Sequence, residues 1–242
     1  MCGRYRLGRG KQAFMKVFGA SRDDFEWEPR FNIAPTDSVP VIRQHPKDPT
    51  RESSIMRWGL IPFWAKSPSI GSRMINARAE TAAGKHAFRD CLKSRRCLVP
   101  ADGFYEWQRT AKSKQPYCFT LADESVFAFA GIWDRWKDGD GKIVKTFSIL
   151  TTTPNAVTAD VHDRMPVVLR AEDYDMWLDP GFQNEAEIAE LLKPLDANLM
   201  RRYPVSSRVN DVKNDDSQCA EPIELDQVAA SLNSPEQLRW FD

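Results

Sequence analysis

The sequence is poor in the features that mark membrane-spanning, secreted and zinc-binding proteins. It has no run of about 18 consecutive apolar residues, and its first residues lack the apolar stretch of a signal peptide. Its five cysteines are an odd number without a CxxC pair, which argues against a disulfide framework or a zinc knuckle. These absences predict a cytoplasmic protein that keeps its cysteines reduced and binds no membrane.

The lack of metal-binding and phosphate-binding motifs and the lack of net charge exclude further classes of function. There are only three histidines, no His, Cys, Asp and Glu group with metal-ligand spacing, and no glycine-rich phosphate loop. We therefore expect no metal and no cofactor. Lys and Arg balance Asp and Glu at 34 each, and the resulting net charge of zero argues against broad nonspecific binding to a polyanion. A net charge of zero is still compatible with a local basic groove.

The pattern of elements predicts an α+β fold in a single domain spanning residues 1–242, a length that allows a sizeable core. Predicted strands come in clusters with helices between the clusters, which favours α+β over a doubly wound sheet. The predicted strands are 39–44, 53–60, 97–100, 103–107, 117–121, 126–133, 144–152, 167–169 and 199–206, with turns at 45–49 and 138–141. The predicted helices are 11–18, 81–93, 172–178, 185–193 and a short one that starts at Thr153-Pro154.

The start of the chain, Met1-Cys2-Gly3-Arg4, carries the most distinctive chemistry. If Met1 is removed, Cys2 presents an α-amine and a thiol on adjacent carbons, which titrate at about 7.7–8.0 and about 8.5. An aldehyde can form an imine with this amine, and the thiol can then close a five-membered thiazolidine ring intramolecularly. Removal of the initiator methionine is expected because the next residues are small. The alternative is an ordinary frayed terminus.

Four polar residues could assist such chemistry. Glu106 lies in an aromatic strand, where burial would raise its pKa and suit it to proton transfer, whereas on an edge strand it would face solvent. His162 stands in the polar cluster His162-Asp163-Arg164 and could transfer protons near neutral pH, or it could be a structural histidine. Asn76 and Arg78 share one face of a strand-like segment, either as ligands for substrate and phosphate or as a buried polar pair.

Arginines and aromatic residues together suggest a local nucleic-acid surface. Arginines bind backbone phosphates, and exposed aromatic rings stack on unpaired bases at roughly 1–3 kcal/mol per base. The relevant residues are Arg4, Arg6, Arg73, Arg78, Arg164 and Arg208 beside Phe63 and Trp64. Ordinary surface arginines and core aromatic residues would give the same composition.

Seven segments, taken together, resemble the SRAP family of SOS response-associated peptidases, which process abasic sites. The segments are MCGRY at 1–5, FNIAP at 31–35, RWGLIP at 57–62, INARAET at 75–81, ADGFYEW at 101–107, VHDRMP at 161–166 and PVS at 204–206. They follow the family's order and place its core at about residues 2–214, before a polar, acidic C-terminal extension. The resemblance implies a mostly antiparallel, barrel-like β-sheet flanked by helices, with a positively charged groove for single-stranded DNA.

The resemblance also implies roles for the four candidate catalytic residues. Cys2 would attack the open-chain aldehyde of an abasic site and end as a thiazolidine crosslink. Asn76 would hold the N-terminal residue and the sugar, and Glu106 would shuttle protons during imine formation and ring closure. His162 would assist opening of the sugar ring and, in reverse, release of the crosslink.

Nine residues are expected to contact DNA by the same resemblance: Arg4, Asn32, Pro35, Phe63, Trp64, Arg73, Arg78, Arg164 and Ser206. The Phe63-Trp64 loop would wedge against the end of a duplex and so favour single strands or single/double-strand junctions. Relatives can carry two tryptophans in this loop, so the wedge can differ in detail. Lys85 and His86 stand where a relative can have arginine, and no DNA contact is assigned to either.

The leading hypothesis is an abasic-site sensor that crosslinks to single-stranded DNA as a monomer, associates with the nucleoid when bound, and shields the lesion. Its enzymatic activities would be crosslinking, lyase-like chemistry and autoproteolytic removal of Met1. The alternative is a cysteine peptidase or amidohydrolase with Cys2 as nucleophile and His162 and Glu106 as partners. A third hypothesis is a noncovalent reader of modified bases with Trp64 and Trp107 in its pocket.

Overall fold

A computed structural model describes residues 2–23, 25–45, 50–109 and 114–225. Within these ranges the strands are β1 (Tyr5–Leu7), β2 (Ala20–Arg22), β3 (Arg30–Ile33), β4 (Ser38–Gln44), β5 (Arg51–Trp58), β6 (Asn76–Arg78), β7 (Arg96–Ala101), β8 (Gly103–Arg109), β9 (Lys114–Leu121), β10 (Phe127–Lys137), β11 (Ile143–Thr152), β12 (Met165–Pro166), β13 (Val168–Leu169) and β14 (Met200–Pro204). The α-helices are α1 (Lys11–Val17), α2 (Ala79–Ala82), α3 (Arg89–Ser94), α4 (Tyr174–Leu178) and α5 (Glu185–Leu191). Short 3-10 helices cover Pro68–Arg73, Ala171–Asp173, Ala197–Leu199, Ser207–Asn210 and Ser217–Cys219.

Five strands close into a barrel. β10 pairs with β11 and β7, β7 pairs with β4, and β4 pairs with β5, all antiparallel. The ring closes because β5 also pairs with β11, in parallel, with Arg57 opposite Thr146 and Trp58 opposite Phe147. The predicted mostly antiparallel, barrel-like sheet is therefore confirmed.

A second sheet, in the order β14-β9-β8-β1-β3, packs against the barrel through aromatic side chains. The ring of Tyr5 in β1 lies 5.2 Å from Trp58 of β5 and 5.7 Å from Phe129 of β10, centroid to centroid. Phe104 of β8 lies 6.0 Å from the same Phe129. Edge-to-face pairs of this kind contribute about 0.5–1.5 kcal/mol each beyond their buried area. They fix the N-terminal strand, and the residues before it, against the barrel.

Two predicted helices are wrong. The stretch 81–93 is divided between α2 and α3, because Gly84, which is costly within a helix, donates its N–H to the Thr81 carbonyl and starts a turn. No helix starts at Thr153-Pro154, and turns occupy 156–161 instead. The side chain of Asn155 accepts hydrogen bonds from the N–H groups of Val157 and Thr158, a local alternative to helical pairing.

The other predicted elements are found within a few residues of their expected bounds. Residues 46–49 of the predicted turn at 45–49 lie outside the described ranges. In the described part of the chain, no helix is long and apolar enough to cross a membrane. The same ranges contain no group of three or more His, Cys, Asp or Glu residues that could hold a metal ion.

The C-terminal part of the described chain is packed against the fold beyond residue 214. Cys219 and Ala220 are buried in a small apolar cluster with Tyr105. The Asp215 carboxylate accepts a hydrogen bond from the backbone N–H of Phe31 at 2.6 Å. The predicted polar extension is thus part of the packed structure up to these residues.

Gly59 marks a close approach of two backbones at the base of the loop that carries Phe63. Its φ is +122°, and a Cβ added there would lie 2.6 Å from the Gly71 carbonyl oxygen. We expect Gly59→Ala to lower the free energy of unfolding by about 2–4 kcal/mol, measured by urea denaturation. Gly139→Ala, whose added Cβ meets nothing within 4 Å, is the matched control. Equal stability of the two variants would contradict this prediction.

Candidate active site

The N-terminal residues are positioned by pairing between β1 and β8. The Tyr105 N–H donates to the Arg4 carbonyl at 2.9 Å, which extends the antiparallel pairing toward the start of the chain. Continued at this register, Gly3 lies opposite Glu106. Cys2 is therefore brought next to the strand that carries this carboxylate.

Burial governs the acid–base properties of Cys2 and Glu106. Cys2 is fully buried, and burial together with the charge of Glu106 raises the pKa of its thiol far above the usual range. Glu106 is also buried, and this burial raises its pKa from 4.5 to about 7. The thiol is therefore held protonated, while the carboxyl group can take or give a proton near neutral pH.

Asn76 holds the backbone of Cys2. Its Nδ2 donates to the Cys2 carbonyl at 2.7 Å. The amide has a rigid support, because Asn76 lies opposite Ile149 in the β6–β11 pair and Trp58 Nε1 donates to the preceding Ile75 carbonyl at 2.8 Å. The Oδ1 of Asn76 is buried without a hydrogen-bond partner among the described residues, so it remains available to a ligand.

His162 is positioned at the end of the turns that follow Asn155. Its N–H donates to the Thr158 carbonyl at 2.9 Å. Its Nδ1 accepts a hydrogen bond from the Arg164 N–H at 3.0 Å and lies 2.8 Å from the Asp163 carboxylate. Burial lowers the pKa of His162, and the charge of Asp163 acts in the opposite direction. The imidazole is thus favoured in its neutral form, with a carboxylate ready to stabilise the cation.

Glu106 and His162 line the same cavity, which has a volume of about 630 Å³. The residues lining it are Glu106, Trp107, Arg109, Lys114, Asp160, Val161, His162 and Asn210. Cys2 is joined to this group by its electrostatic interaction with Glu106, and Asn76 by its hydrogen bond to Cys2. The structure therefore brings the four candidate catalytic residues to one place.

Four of the nine candidate DNA contacts are exposed. The side chains of Phe63 and Trp64 are 61% and 41% exposed, values that leave their rings free to stack on bases. Arg73 and Arg78 are exposed as well. The Trp64 ring lies 5.2 Å from the ring of His86, which supports the indole from the side.

Asn32 has no surface with which to contact DNA. Its side chain is fully buried, and its Nδ2 donates to the carbonyls of Asn214 and Asp211 at 2.6 and 3.0 Å. Its Oδ1 accepts from Arg4 Nη1 at 2.7 Å, and the same Arg4 nitrogen donates to the Val209 carbonyl at 2.8 Å. Asn32 therefore positions Arg4, and the direct contact with DNA expected of it is incompatible with this burial.

Of the remaining candidates, Arg164 and Ser206 have partners within the protein. Both terminal nitrogens of Arg164 bind the Glu80 carboxylate, at 2.6 and 2.9 Å. The Ser206 hydroxyl accepts from the Arg208 N–H at 3.2 Å and caps a 3-10 helix. Pro35 is half-buried beside Thr36, which has a φ of +79°. A DNA phosphate would have to displace Glu80 in order to reach Arg164.

Comparison with known proteins decides the family. The family model described as SOS response associated peptidase (SRAP) matches residues 1–212 of the chain. This chain belongs to the SRAP family.

Relatives of this SRAP chain span bacteria and animals. It is 40% identical to abasic site processing protein YoqW of Bacillus subtilis (strain 168) over 224 residues, 91% of the chain and 99% of that protein. It is 31% identical to abasic site processing protein HMCES of Gallus gallus over an alignment of 285 residues, gaps included, which covers 100% of the chain and 84% of that protein. Among solved structures, a protein from Bacteroides thetaiotaomicron matches with a TM-score of 0.84 and 30% identity, covering 92% of this chain and all of that one.

The structure of this SRAP chain adds three groups that sequence reasoning missed. Glu80 pairs with Arg164, and His86 lies against Trp64. Asn210 Oδ1 accepts from Trp107 Nε1 at 2.6 Å, so it holds a wall of the cavity. Of the three, only Glu80 lies in one of the segments that carry the resemblance to the family, INARAET, and so gave a signal in the sequence.

Proposed function

We propose that this chain processes abasic sites in single-stranded DNA by forming a covalent crosslink through Cys2 after Met1 is removed, and that the crosslink shields the lesion. The observation that carries the proposal is the support of Cys2 from two sides. Asn76 holds its carbonyl group, and the buried Glu106, with a pKa near 7, interacts with its thiol. The relatives named abasic site processing proteins support the same activity.

The first step is formation of an imine. The α-amine of Cys2 attacks the aldehyde carbon of the open-chain sugar, and the resulting carbinolamine loses water. Glu106 in its acid form protonates the departing hydroxyl group, which its pKa near 7 allows. The amine reacts before the thiol because burial keeps the thiol protonated and weakly nucleophilic.

The second step closes the ring. The sulfur of Cys2 attacks the carbon of the protonated imine, the thiol proton passes to the Glu106 carboxylate, and the electron pair of the C=N bond returns to the nitrogen, which keeps its proton. No atom is lost in this step, so the complete reaction releases one water molecule. The two groups are on adjacent carbons of one residue, and proximity therefore favours ring closure strongly. Reversal of the two steps would release the DNA.

His162 assists the steps that open the sugar ring. The closed form of an abasic sugar has no aldehyde, and a neutral imidazole in the same cavity as Glu106 can take the hydroxyl proton. A β-elimination that cleaves the strand would need the same kind of proton transfer. Lyase-like activity is thus a side reaction of the proposed site.

Asp163→Asn tests the positioning of His162. In release, which reverses these steps, the protonated imidazole gives the proton back to the sugar oxygen. The Asp163 carboxylate favours this protonated form, so its loss should shift the pH dependence of crosslink release to lower pH and slow release several-fold at neutral pH. The effect is modest because the Asp163 side chain is 86% exposed and water screens its charge. Asp160→Asn is the control, since Asp160 lines the same cavity but is held by Arg202. An unchanged pH profile for Asp163→Asn would count against this role.

DNA would be held by arginines and stacked on aromatic rings. Arg73 and Arg78 are exposed cations, and Arg164 would exchange Glu80 for a phosphate. The exposed Phe63 and Trp64 would close off the end of a duplex, which favours single strands and junctions. The reaction centre is complete in one chain, so the protein would act as a monomer.

A second activity of the same residues is autocatalytic removal of Met1. The Cys2 thiol attacks the Met1 carbonyl carbon, the peptide nitrogen leaves as the α-amine of Cys2 with a proton carried by Glu106, and water then hydrolyses the thioester and releases Met1. The description of the family as a peptidase favours this candidate. It would prepare the reactive amine instead of competing with the crosslink.

The proposal is tested by mixing Met1-free protein with a single-stranded oligonucleotide that contains one abasic site. A heat-stable shifted band on a denaturing gel is expected. The same oligonucleotide with an intact base should give no band. If the abasic oligonucleotide also gives no band, the proposal fails and a peptidase assay on short peptides takes priority.

A further inference from the structure

A second cavity lies at the other end of β11 from the reaction centre. Its volume is about 600 Å³, in the range of ligand-binding pockets. It is lined near the start of β11 by Ile143 and Lys145, whereas Asn76 pairs with this strand at Ile149. The two cavities share no lining residue and are therefore separate sites.

The second cavity is the more cationic of the two. The charged residues that line it are Arg43, Arg95, Arg96, Arg135 and Lys145, with no Asp or Glu among its described lining residues. The reaction-centre cavity combines Arg109 and Lys114 with two carboxylates. In a chain of zero net charge, this uneven distribution favours an anionic ligand.

Arg43, Arg95 and Arg96 are held in place by structural partners. Arg43 is paired with Glu52, and Arg95 lies 3.4 Å from the Asp134 carboxylate. Arg96 is buried and donates only to backbone carbonyls, for example that of Trp177. Arg135 is exposed and has no carboxylate partner in the part of the chain that the structure describes.

Arg135 and Lys145 lie directly opposite each other on the neighbouring strands β10 and β11. This pair is two positions from the Trp133–Phe147 pair. Directly opposite side chains lie on the same face of the ribbon, so one anion bound there can contact cations from both strands. The indole of Trp133 lines the same cavity, and the Arg43 guanidinium lies over its ring at 4.8 Å from the centroid, so the site combines an aromatic ring with cations.

The loop of Phe63 and Trp64 is attached to the same β10–β11 ribbon. The Phe63 N–H donates to the Asp134 carboxylate at 3.0 Å, and Trp136 Nε1 donates to the Ala65 carbonyl at 2.6 Å. Asp134 and Trp136 flank Arg135 in β10, so their side chains lie on the opposite face of the ribbon. Asp134 also binds Arg95 of the cavity. The loop and the cavity therefore lie on opposite faces of the same two-stranded ribbon.

We propose that this cavity binds the backbone of a second stretch of single-stranded DNA, the strand that the Phe63-Trp64 loop separates from the abasic strand. Arg135 and Lys145 bind its phosphates, and Trp133 supports a base or sugar beside them. The inference rests on the proposed function. It predicts that the protein binds forked DNA more tightly than a short single strand.

The test uses the double variant Arg135→Gln/Lys145→Gln of the full chain. Fluorescence anisotropy measures its affinity for a forked DNA with two unpaired tails and for a short single strand, over a range of salt concentrations. We expect about tenfold weaker binding of the forked DNA at low salt, and a salt slope smaller by about 0.7 for each phosphate that the variant no longer binds. Affinity for the short strand, and its crosslink yield at an abasic site, should match those of the unchanged protein.

Two controls show whether weaker binding of the forked DNA originates in this cavity. Lys142→Gln removes an exposed cation in the same hairpin that does not line the cavity, and it should bind both DNAs normally. The melting temperature of the double variant is measured beside that of the unchanged protein, so that a loss of folded protein is not taken for a loss of DNA contacts. Unchanged affinity for forked DNA would overturn the inference and leave the cavity to an acidic protein segment. Equal weakening on both DNAs would overturn it as well. A missing crosslink in the unchanged protein would instead refute the proposed function.

Discussion

Cys2→Ser is expected to abolish the heat-stable adduct with abasic DNA completely. Serine keeps the α-amine, so an imine can still form, but its hydroxyl group does not close a stable thiazolidine. The variant should therefore yield only an adduct that sodium borohydride traps and that heat releases. The measurement is the fraction of oligonucleotide shifted on a denaturing gel, with and without borohydride.

Cys91→Ser is the matched control for this prediction. Cys91 is buried like Cys2, and its sulfur accepts a hydrogen bond from Arg95 that a serine hydroxyl group can also accept. This variant should crosslink as the unchanged protein does. A heat-stable adduct formed by Cys2→Ser would show that another nucleophile carries the reaction.

Glu106→Gln is expected to slow crosslinking by about 100-fold to 10,000-fold, the usual contribution of a positioned acid or base. The variant keeps the shape of the side chain and removes only its ability to exchange protons. Rates should be followed at several pH values, because the reaction of the unchanged protein should change around pH 7, where Glu106 titrates. A rate within about threefold of the unchanged protein would show that Glu106 carries no proton in this reaction.

The same variant should gain stability at high pH. Burial raises the pKa of Glu106 from 4.5 to about 7, so the folded state binds this proton more tightly than the unfolded state. The stability due to the protonated group is complete below pH 4.5 and is lost as the pH rises through 7. Between about pH 4 and about pH 8, Glu106→Gln should therefore gain about 3 kcal/mol relative to the unchanged protein.

Urea denaturation at the two pH values measures this gain, and the exposed Glu221→Gln serves as control. A control that behaves like Glu106→Gln would contradict the assignment of the effect to a buried carboxyl group. A variant that loses activity and gains stability is expected when the original side chain serves the reaction but its burial destabilises the fold.

The sequence predicted well what depends on local pattern. Alternation along the predicted strand 103–107 accounts for the two faces that the structure shows, with Phe104 in the main core and Tyr105 and Trp107 in the smaller apolar cluster. The adjacency of an amine and a thiol at Cys2 is a property of the covalent chain itself. The predicted hairpin turn at 138–141 follows from its Asp and Gly residues, and the structure joins β10 and β11 there.

What the sequence could not predict depends on distant partners. Arg164 and Glu80 are 84 positions apart, and the contact of Asn32 with Val209 spans 177 positions. A polar residue such as Asn32, between two apolar neighbours, can bind DNA or position Arg4 with the same local sequence, and only the packing of the C-terminal part distinguishes the two. The like-charge pair of Arg135 and Lys145 also becomes visible only when the register of β10 and β11 is known.

The central claim is tested most directly by intact mass spectrometry of the Met1-free protein after reaction with an oligonucleotide containing one abasic site. We expect a single adduct whose mass equals the sum of protein and DNA less one water molecule. Borohydride treatment should add no hydrogen to it, because a thiazolidine, unlike an imine, has no C=N bond to reduce. Met1-free protein that forms no adduct, or an adduct that gains two hydrogens, would contradict the claim.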